Sequence, residues 1–309
     1  MKKFWKKWFE PKAFNYGFLP ENNGHQVFFA EYGNPNGKPI LVFHGGPGGS
    51  AKASYAKGIN LRKYRVIMFD QRGCNNSLPQ GMLENNTTID LLEDANRLLN
   101  HLKINEKIIL KGPSWGSTLA LLFAERFPQK VEKMLLSQVF LANEDNEKWE
   151  FEGNRFHYPE FVECLEAKAG KNVIEHFAQK INSINIEQQL DAANHYGYYE
   201  RVCCSLDPKW DDCVELDDKS LAGHRIFMHY SKNKFFMDSV GDILENISKI
   251  KNIPTVIVHN RLDFVCPIKG AYELHRLLNN SKLIIVPEFG HVGELLHKTI
   301  SRVFEAELK

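Results

Sequence analysis

No stretch of this 309-residue chain reaches the roughly 18 apolar residues that a membrane-spanning helix needs, so no span is expected. Net charge is equally scarce. Lys and Arg total 39 against 38 Asp and Glu, a formal +1, which gives no electrostatic reason to expect nucleic acid or another polyanion as a partner. Six cysteines, at 74, 164, 203, 204, 213 and 266, show neither CxxC spacing nor the density of a disulfide-stapled secreted domain. They point to a reduced, cytoplasmic setting. The first residues, MKKFWKKWFEP, carry the lysines of a secretory leader without the apolar run that follows them in one. They read as an arm folded onto the domain or, alternatively, as a short basic aromatic helix at a membrane surface. Zinc-spaced His, Cys and carboxylate sets are missing, as are phosphate-cradling and dinucleotide motifs; neither a metal nor a cofactor is expected. The acids Asp211, Asp212, Glu215, Asp217 and Asp218 lack the spacing and turn glycine of a calcium loop and read as a solvated face.

What is present is a rhythm. Short apolar runs bounded by Gly, Pro and Asn alternate with longer segments of helical period, the pattern of parallel βαβ units and an α/β fold. Strands are predicted over 39–44, 64–70, 107–111, 131–136, 253–259 and 282–286, and their near-continuous hydrophobicity suits a sheet covered on both faces. Helices are predicted over 90–102, 117–126, 269–278 and 292–307, and residues 26–32 read as an antiparallel edge strand that opens the sheet. Between about 142 and 246 the rhythm stops, and the segment becomes aromatic, charged and mostly helical. An insertion there divides the chain into a core first part (1–141), a helical cap (142–246) and a core second part (247–309). The cap is expected over the carboxyl edge of the strands, where such sheets bind ligands.

Chemistry concentrates at that edge. In KIILKGPSWGSTLALLFAERFP, Gly112, Ser114 and Gly116 form G-x-S-x-G between a strand and a helix, a setting in which a strained turn exposes the serine hydroxyl. The Trp115 amide then points where an oxyanion develops, and the Gly46 amide in HGGPGG (44–49), directly after the strand PILVFH, is the candidate second donor. Asp263 follows the strand IPTVIVH and His291 follows KLIIV. The chain order Ser, Asp, His is that of α/β-hydrolase triads: Ser114 attacks, His291 relays the proton and Asp263 orients it. Cys266, three residues past Asp263, is expected beside the acid loop. His44, His224, His229 and His259 read as structural.

With HGGPGG, DQRGCNNS (70–77), NTTIDLLEDANRL (86–98), GPSWGS and HNRLDFVCP in order, the chain resembles the proline iminopeptidase (prolyl aminopeptidase) family of α/β-hydrolases from about Gly17 to the C-terminus. The resemblance implies an α/β-hydrolase fold, a mostly parallel, doubly wound sheet with an inserted helical cap. It also implies release of an N-terminal residue, preferentially proline, from peptides and small amides through an acyl-enzyme, without metal and typically in the cytoplasm. Family members read the free α-amino group with acidic cap residues. Here the family's WEG-like segment corresponds to YYER, so Glu200 inherits one carboxylate, whereas HRIFMHYS places Phe227 where the second glutamate is expected. Other departures are Pro113 for a glycine, Asn75 and Asn76 for a Gly-Arg pair, and Ser137-Gln138 for Arg-Gly ahead of Phe140.

Two readings of the substrate follow. In the first, Glu200 holds the ammonium group of a small N-terminal residue and Phe140 lines an apolar pocket for it. In the second, Phe227 has removed a countercharge and the enzyme is an esterase or amidase for small neutral acyl groups. A receptor without turnover has no need to keep Ser114, Asp263 and His291 together.

Overall fold

The computed structural model describes residues 11–205 and 216–308. The N-terminal arm through Glu10 and the acids Asp211, Asp212 and Glu215 lie outside the described residues. Eight strands form one sheet: β1 (Asn15–Phe18), β2 (Phe28–Gly33), β3 (Lys38–Val42), β4 (Tyr64–Phe69), β5 (Ile108–Pro113), β6 (Val131–Ser137), β7 (Thr255–Leu262) and β8 (Ser281–Phe289). Their spatial order is β1-β2-β4-β3-β5-β6-β7-β8. The pairs β1–β2 and β2–β4 are antiparallel and the remaining neighbours parallel. Residues 26–32 do contribute an antiparallel strand, but not the edge. Four mostly exposed residues, β1, add a further strand outside β2, and they carry too little burial to show an apolar pattern.

Helices cover both faces, the doubly wound arrangement. On one face α1 (Thr88–His101) and α2 (Trp115–Arg126) pack against Leu41, Phe43, Ile67, Leu110 and Leu136. The opposite layer, Ile40, Val42, Val66, Ile109 and Val258, is closed by the C-terminal helix. Between β6 and β7 the chain leaves the sheet for α3 (Glu144–Lys148), α4 (Pro159–Ala169), α5 (Val173–Ile181), α6 (Ile186–Cys204) and α7 (Asp218–Lys232). Short polar side chains start three of these: Asn143, Asn185 and Asp217 each accept a first-turn backbone N–H, satisfying donors that have no intrahelical partner. The helices bury a cluster of their own around Phe161, Val162, Phe177 and Tyr196, while α7 also sends Ile226 and Tyr230 into the core on the sheet. After β7 come α8 (Ile268–Leu277) and, beyond β8, α9 (Glu294–Glu307). Among the described residues no helix is long and apolar enough to cross a membrane.

Candidate active site

Ser114 joins β5 to α2 with φ 54° and ψ −130°, a left-handed backbone that costs a non-glycine residue on the order of 1–3 kcal/mol. Its surroundings hold it there. The Ser114 N–H donates to the Ser137 carbonyl at 3.0 Å, and the Ser114 carbonyl accepts from the Ser117 N–H at 2.7 Å and from Ser117 Oγ at 2.6 Å. The flanking glycines are required by contact. A Cβ on Gly112 would lie 2.1 Å from the Gly116 carbonyl oxygen, and one on Gly116 would lie 2.3 Å from that of Phe43.

The Asp263 loop leaves β7 and the His291 loop leaves β8, neighbouring parallel strands, so their carboxyl ends meet. His291 Nδ1 is 2.8 Å from Asp263 Oδ2 and 3.0 Å from Oδ1, a geometry in which Nδ1–H donates and Nε2 is the basic nitrogen. Oδ1 of Asp263 also accepts the Val265 and Cys266 N–H groups at 3.0 and 2.8 Å. The histidine loop is pinned from three sides. The His291 carbonyl accepts from Gln138 Nε2 at 2.9 Å, the Gly290 carbonyl from Asn260 Nδ2 at 2.8 Å, and the His291 N–H donates to the Cys204 carbonyl at the end of α6 at 2.9 Å. His259 sits fully buried below, accepting the Val139 N–H on Nδ1 at 3.0 Å and donating from Nε2 to the Cys266 carbonyl at 2.8 Å. Burial lowers its pKa and keeps it neutral. Cys266 is buried beside Asp263 and Ser114, and burial raises its pKa far above the ordinary thiol range, so it carries no reactive thiolate.

Gln71 joins the two halves of the candidate oxyanion hole. Its Nε2 donates to the His44 carbonyl and its Oε1 accepts from Trp115 Nε1, both at 3.0 Å. The Gln71 N–H in turn donates to His44 Nε2 at 3.0 Å, while Nδ1 of the same buried ring holds the Gly45 carbonyl at 2.7 Å. Gly46, next in the chain, adopts φ +127°, outside the range of ordinary L residues. Replacing Gln71 by leucine should therefore loosen the Gly46 loop relative to Trp115. We expect kcat to fall about tenfold, less than the 100-fold or more of losing an oxyanion donor outright, with little change in KM. An unchanged kcat in a folded Gln71→Leu enzyme would show that the loop holds its place without the clamp.

Ser114 and His291 line one cavity of about 800 Å3, together with Gly46, Phe140, Phe227 and Glu200. Phe140 packs edge-on against Phe235 with ring centroids 5.0 Å apart, and Phe227 leans on Tyr196 at 5.8 Å. Glu200 is not the cavity's sole acid from the helical segment. Glu150, in the turn after α3, lines the same space. Tyr196 Oη donates to its carboxylate and Tyr199 Oη to its carbonyl. Burial, reinforced by the charge of Glu150 and only partly opposed by Arg201, pushes Glu200 up to about 8, and burial, partly opposed by the Tyr196 hydrogen bond, pushes Glu150 up to about 7. The nearest titratable base, His224, approaches Glu200 to 4.0 Å but is held down at about 4 by burial and by Arg201. It supplies no countercharge at neutral pH. Among the described residues neither Glu150 nor Glu200 has an ion-pair partner other than this neutral histidine, an arrangement that favours a cationic guest. Sequence reasoning missed Glu150; its one signal is an acid flanked by aromatics in KWEFEG.

A family model described as the alpha/beta hydrolase fold matches residues 38–297. Over 288 residues the chain is 36% identical to the proline iminopeptidase of Arabidopsis thaliana, covering 91% of this chain and 76% of that one. It is 34% identical to the probable proline iminopeptidase of Leptolyngbya boryana, with coverages of 89% and 88%, and 34% identical to the proline iminopeptidase of Neisseria gonorrhoeae, covering 91% of each. Among solved structures, VinJ superposes with a TM-score of 0.65 at 18% identity over 96% of this chain and 99% of that one. A bromoperoxidase from Bacillus anthracis gives 0.63 at 18% over 95% and 99%. At such identities the likeness is one of fold.

Proposed function

The chain belongs to the proline iminopeptidase family of α/β-hydrolases, and from that premise we propose that it releases an N-terminal proline, or another small residue, from peptides and amides through an acyl-enzyme. Ser114 Oγ attacks the scissile carbonyl as His291 takes its proton. The Gly46 and Trp115 N–H groups hold the oxyanion, and His291 returns the proton to the departing amine. Asp263 fixes the imidazole and stabilises its charged form, and water then discharges the acyl-enzyme by the reverse path. Residues 142–246 act as a cap that closes the acyl side of the site. Phe140 and Phe227 flank the proline ring, and Glu200 faces its ammonium. The observation that carries this reading over the esterase one is the pair Glu150 and Glu200, neither of them ion-paired to a cation: a pocket for a neutral acyl group gains nothing from two half-buried acids and bears the cost of partly desolvating them. Five free cysteines among the described residues support a reducing, cytoplasmic location.

The reading is tested by kcat/KM for a prolyl arylamide, its N-acylated counterpart and a short-chain aryl ester. Strong preference for the free amine supports it; indifference to N-acylation assigns the site to neutral esters or amides. The preference should also depend on pH with a definite sign. An acid whose pKa is raised keeps its proton to higher pH, so the acid pair is neutral below about 7 and becomes anionic as Glu150 and Glu200 ionise near 7 and 8. The ratio of free-amine to N-acylated turnover should climb through that window, then fall as the substrate's own α-amino group, with an ordinary pKa of about 8, loses its charge. A ratio independent of pH would remove the two carboxylates from amine recognition.

A further inference from the structure

The same cavity is also lined by basic residues that come from the sheet layer instead of the cap. Lys52, Lys57 and Lys111 are part of its lining, as are Tyr55 and the α9 residues His297, Ile300 and Ser301. Lys52 and Lys57 are exposed. Lys111 is not: it is 6% exposed, and it stands on β5 two residues after Ile109, in the apolar layer beneath α9, where its neighbours on that face are Val42 and Phe304. Its ammonium lies 5.6 Å from the Phe304 ring centroid and donates to the Tyr55 carbonyl at 2.5 Å. No carboxylate among the described residues pairs with it. Nothing in the packing of β5 calls for a cation here, since a leucine or valine suits a strand covered on both faces, and a buried ammonium without a countercharge is costly. Burial alone brings its pKa down to about 8, so an arriving anion gains both the pairing and the restored charge.

We infer that Lys111 is an anion subsite on the leaving-group side, where it takes the C-terminal carboxylate of a short peptide substrate. The inference rests on the aminopeptidase reading, which places the ammonium end of the substrate at Glu150 and Glu200. With the ammonium end at the acids, the departing residues are taken to extend from Ser114 toward the basic residues of the same lining. Lys111 lies three residues before Ser114, about 10 Å along the strand at the usual rise. That distance suits the carboxylate of a departing residue or dipeptide, each residue spanning about 3.8 Å, better than it suits a long chain. A site with fixed charges of opposite sign at its two ends selects substrates of two or three residues with both termini free.

The experiment compares Pro-Gly-Gly with its C-terminal amide. Wild-type enzyme should favour the free acid in kcat/KM by about tenfold, the factor that 1.4 kcal/mol of pairing supplies, and Lys111→Met should bring the ratio near one. A residue of merely structural importance would lower both substrates in proportion and leave the ratio intact, which would overturn the assignment. Loss of the ratio in Lys52→Ala/Lys57→Ala with its retention in Lys111→Met would move the anion to the mouth and overturn it equally. Should Lys111→Met fail to fold, wild-type inhibition decides: Gly-Gly should inhibit more strongly than its amide, and equal inhibition sinks the proposal. Hydrolysis of a prolyl arylamide in the same assays separates the two levels, because its absence rejects the aminopeptidase reading, whereas its presence without an acid preference rejects only the role of Lys111.

Discussion

Ser114→Ala enzyme is expected to lose turnover by roughly four to six orders of magnitude and to stop reacting covalently with a fluorophosphonate probe. The size of the loss follows from what the serine does in the scheme: without Oγ there is no acyl-enzyme, and His291 has no hydroxyl to deprotonate. Residual activity would come from substrate binding and oxyanion donors acting on water. The fold should persist, because the bonds that shape the elbow are made by the Ser114 backbone and by Ser117 Oγ, all of which alanine keeps. The strained backbone at φ 54° is no harder for alanine than for serine, so the thermal midpoint should move little. The measurement is therefore paired, with probe labelling and initial rates on one side and a melting curve on the other. Labelling that survives in Ser114→Ala would transfer the nucleophile to another residue and end the proposed mechanism.

The sheet and the elbow were legible from the chain because their signals are local. β3 to β7 are buried over most of their length and read as apolar runs, β8 keeps an apolar run although it is mostly half-buried, and the G-x-S-x-G glycines sit where an added Cβ would come within 2.1 and 2.3 Å of a backbone oxygen. Asp263 and His291 were legible by another route: each follows a predicted strand, and adjacent parallel strands deliver their loops to the same edge. β1 was not legible, since its four residues are mostly exposed and are held by pairing with β2 alone. Neither were Glu150 and Lys111. Glu150 becomes a cavity residue only through the docking of the turn after α3 against Tyr196 and Tyr199 of α6, 46 and 49 positions away. Its presence also corrects the expectation that Glu200 alone represents the cap acids. Lys111 reads as an ordinary strand terminus until α9, nearly two hundred residues later in the chain, closes the layer over it.

That correction changes what removal of Glu200 should do. A buried ammonium is costly to desolvate without a countercharge, and truncating one member of such a pair costs about 2–5 kcal/mol. Glu200 is partly open, with 32% of its side chain accessible, and Glu150 remains opposite, so the lower end applies. Glu200→Gln should reduce kcat/KM on a prolyl arylamide by about 2 kcal/mol, or roughly thirtyfold, and reduce hydrolysis of an N-acylated prolyl ester far less. Glu150→Gln should cost less than Glu200→Gln near neutral pH. Removing the Glu150 charge takes away the repulsion that helps raise Glu200, so the surviving carboxylate ionises more fully and offsets part of the loss. The double variant should then fall by more than the product of the two single effects, because neither acid remains to compensate for the other. Phe227→Glu, which would restore a lost countercharge if Glu200 stood alone, is instead expected to add a third acid beside Tyr196 and to bring little gain in amine preference. Equal losses on the amine and the N-acylated ester in Glu200→Gln would make this residue a support for the chemical step or the fold, and would return the neutral-ester reading to first place.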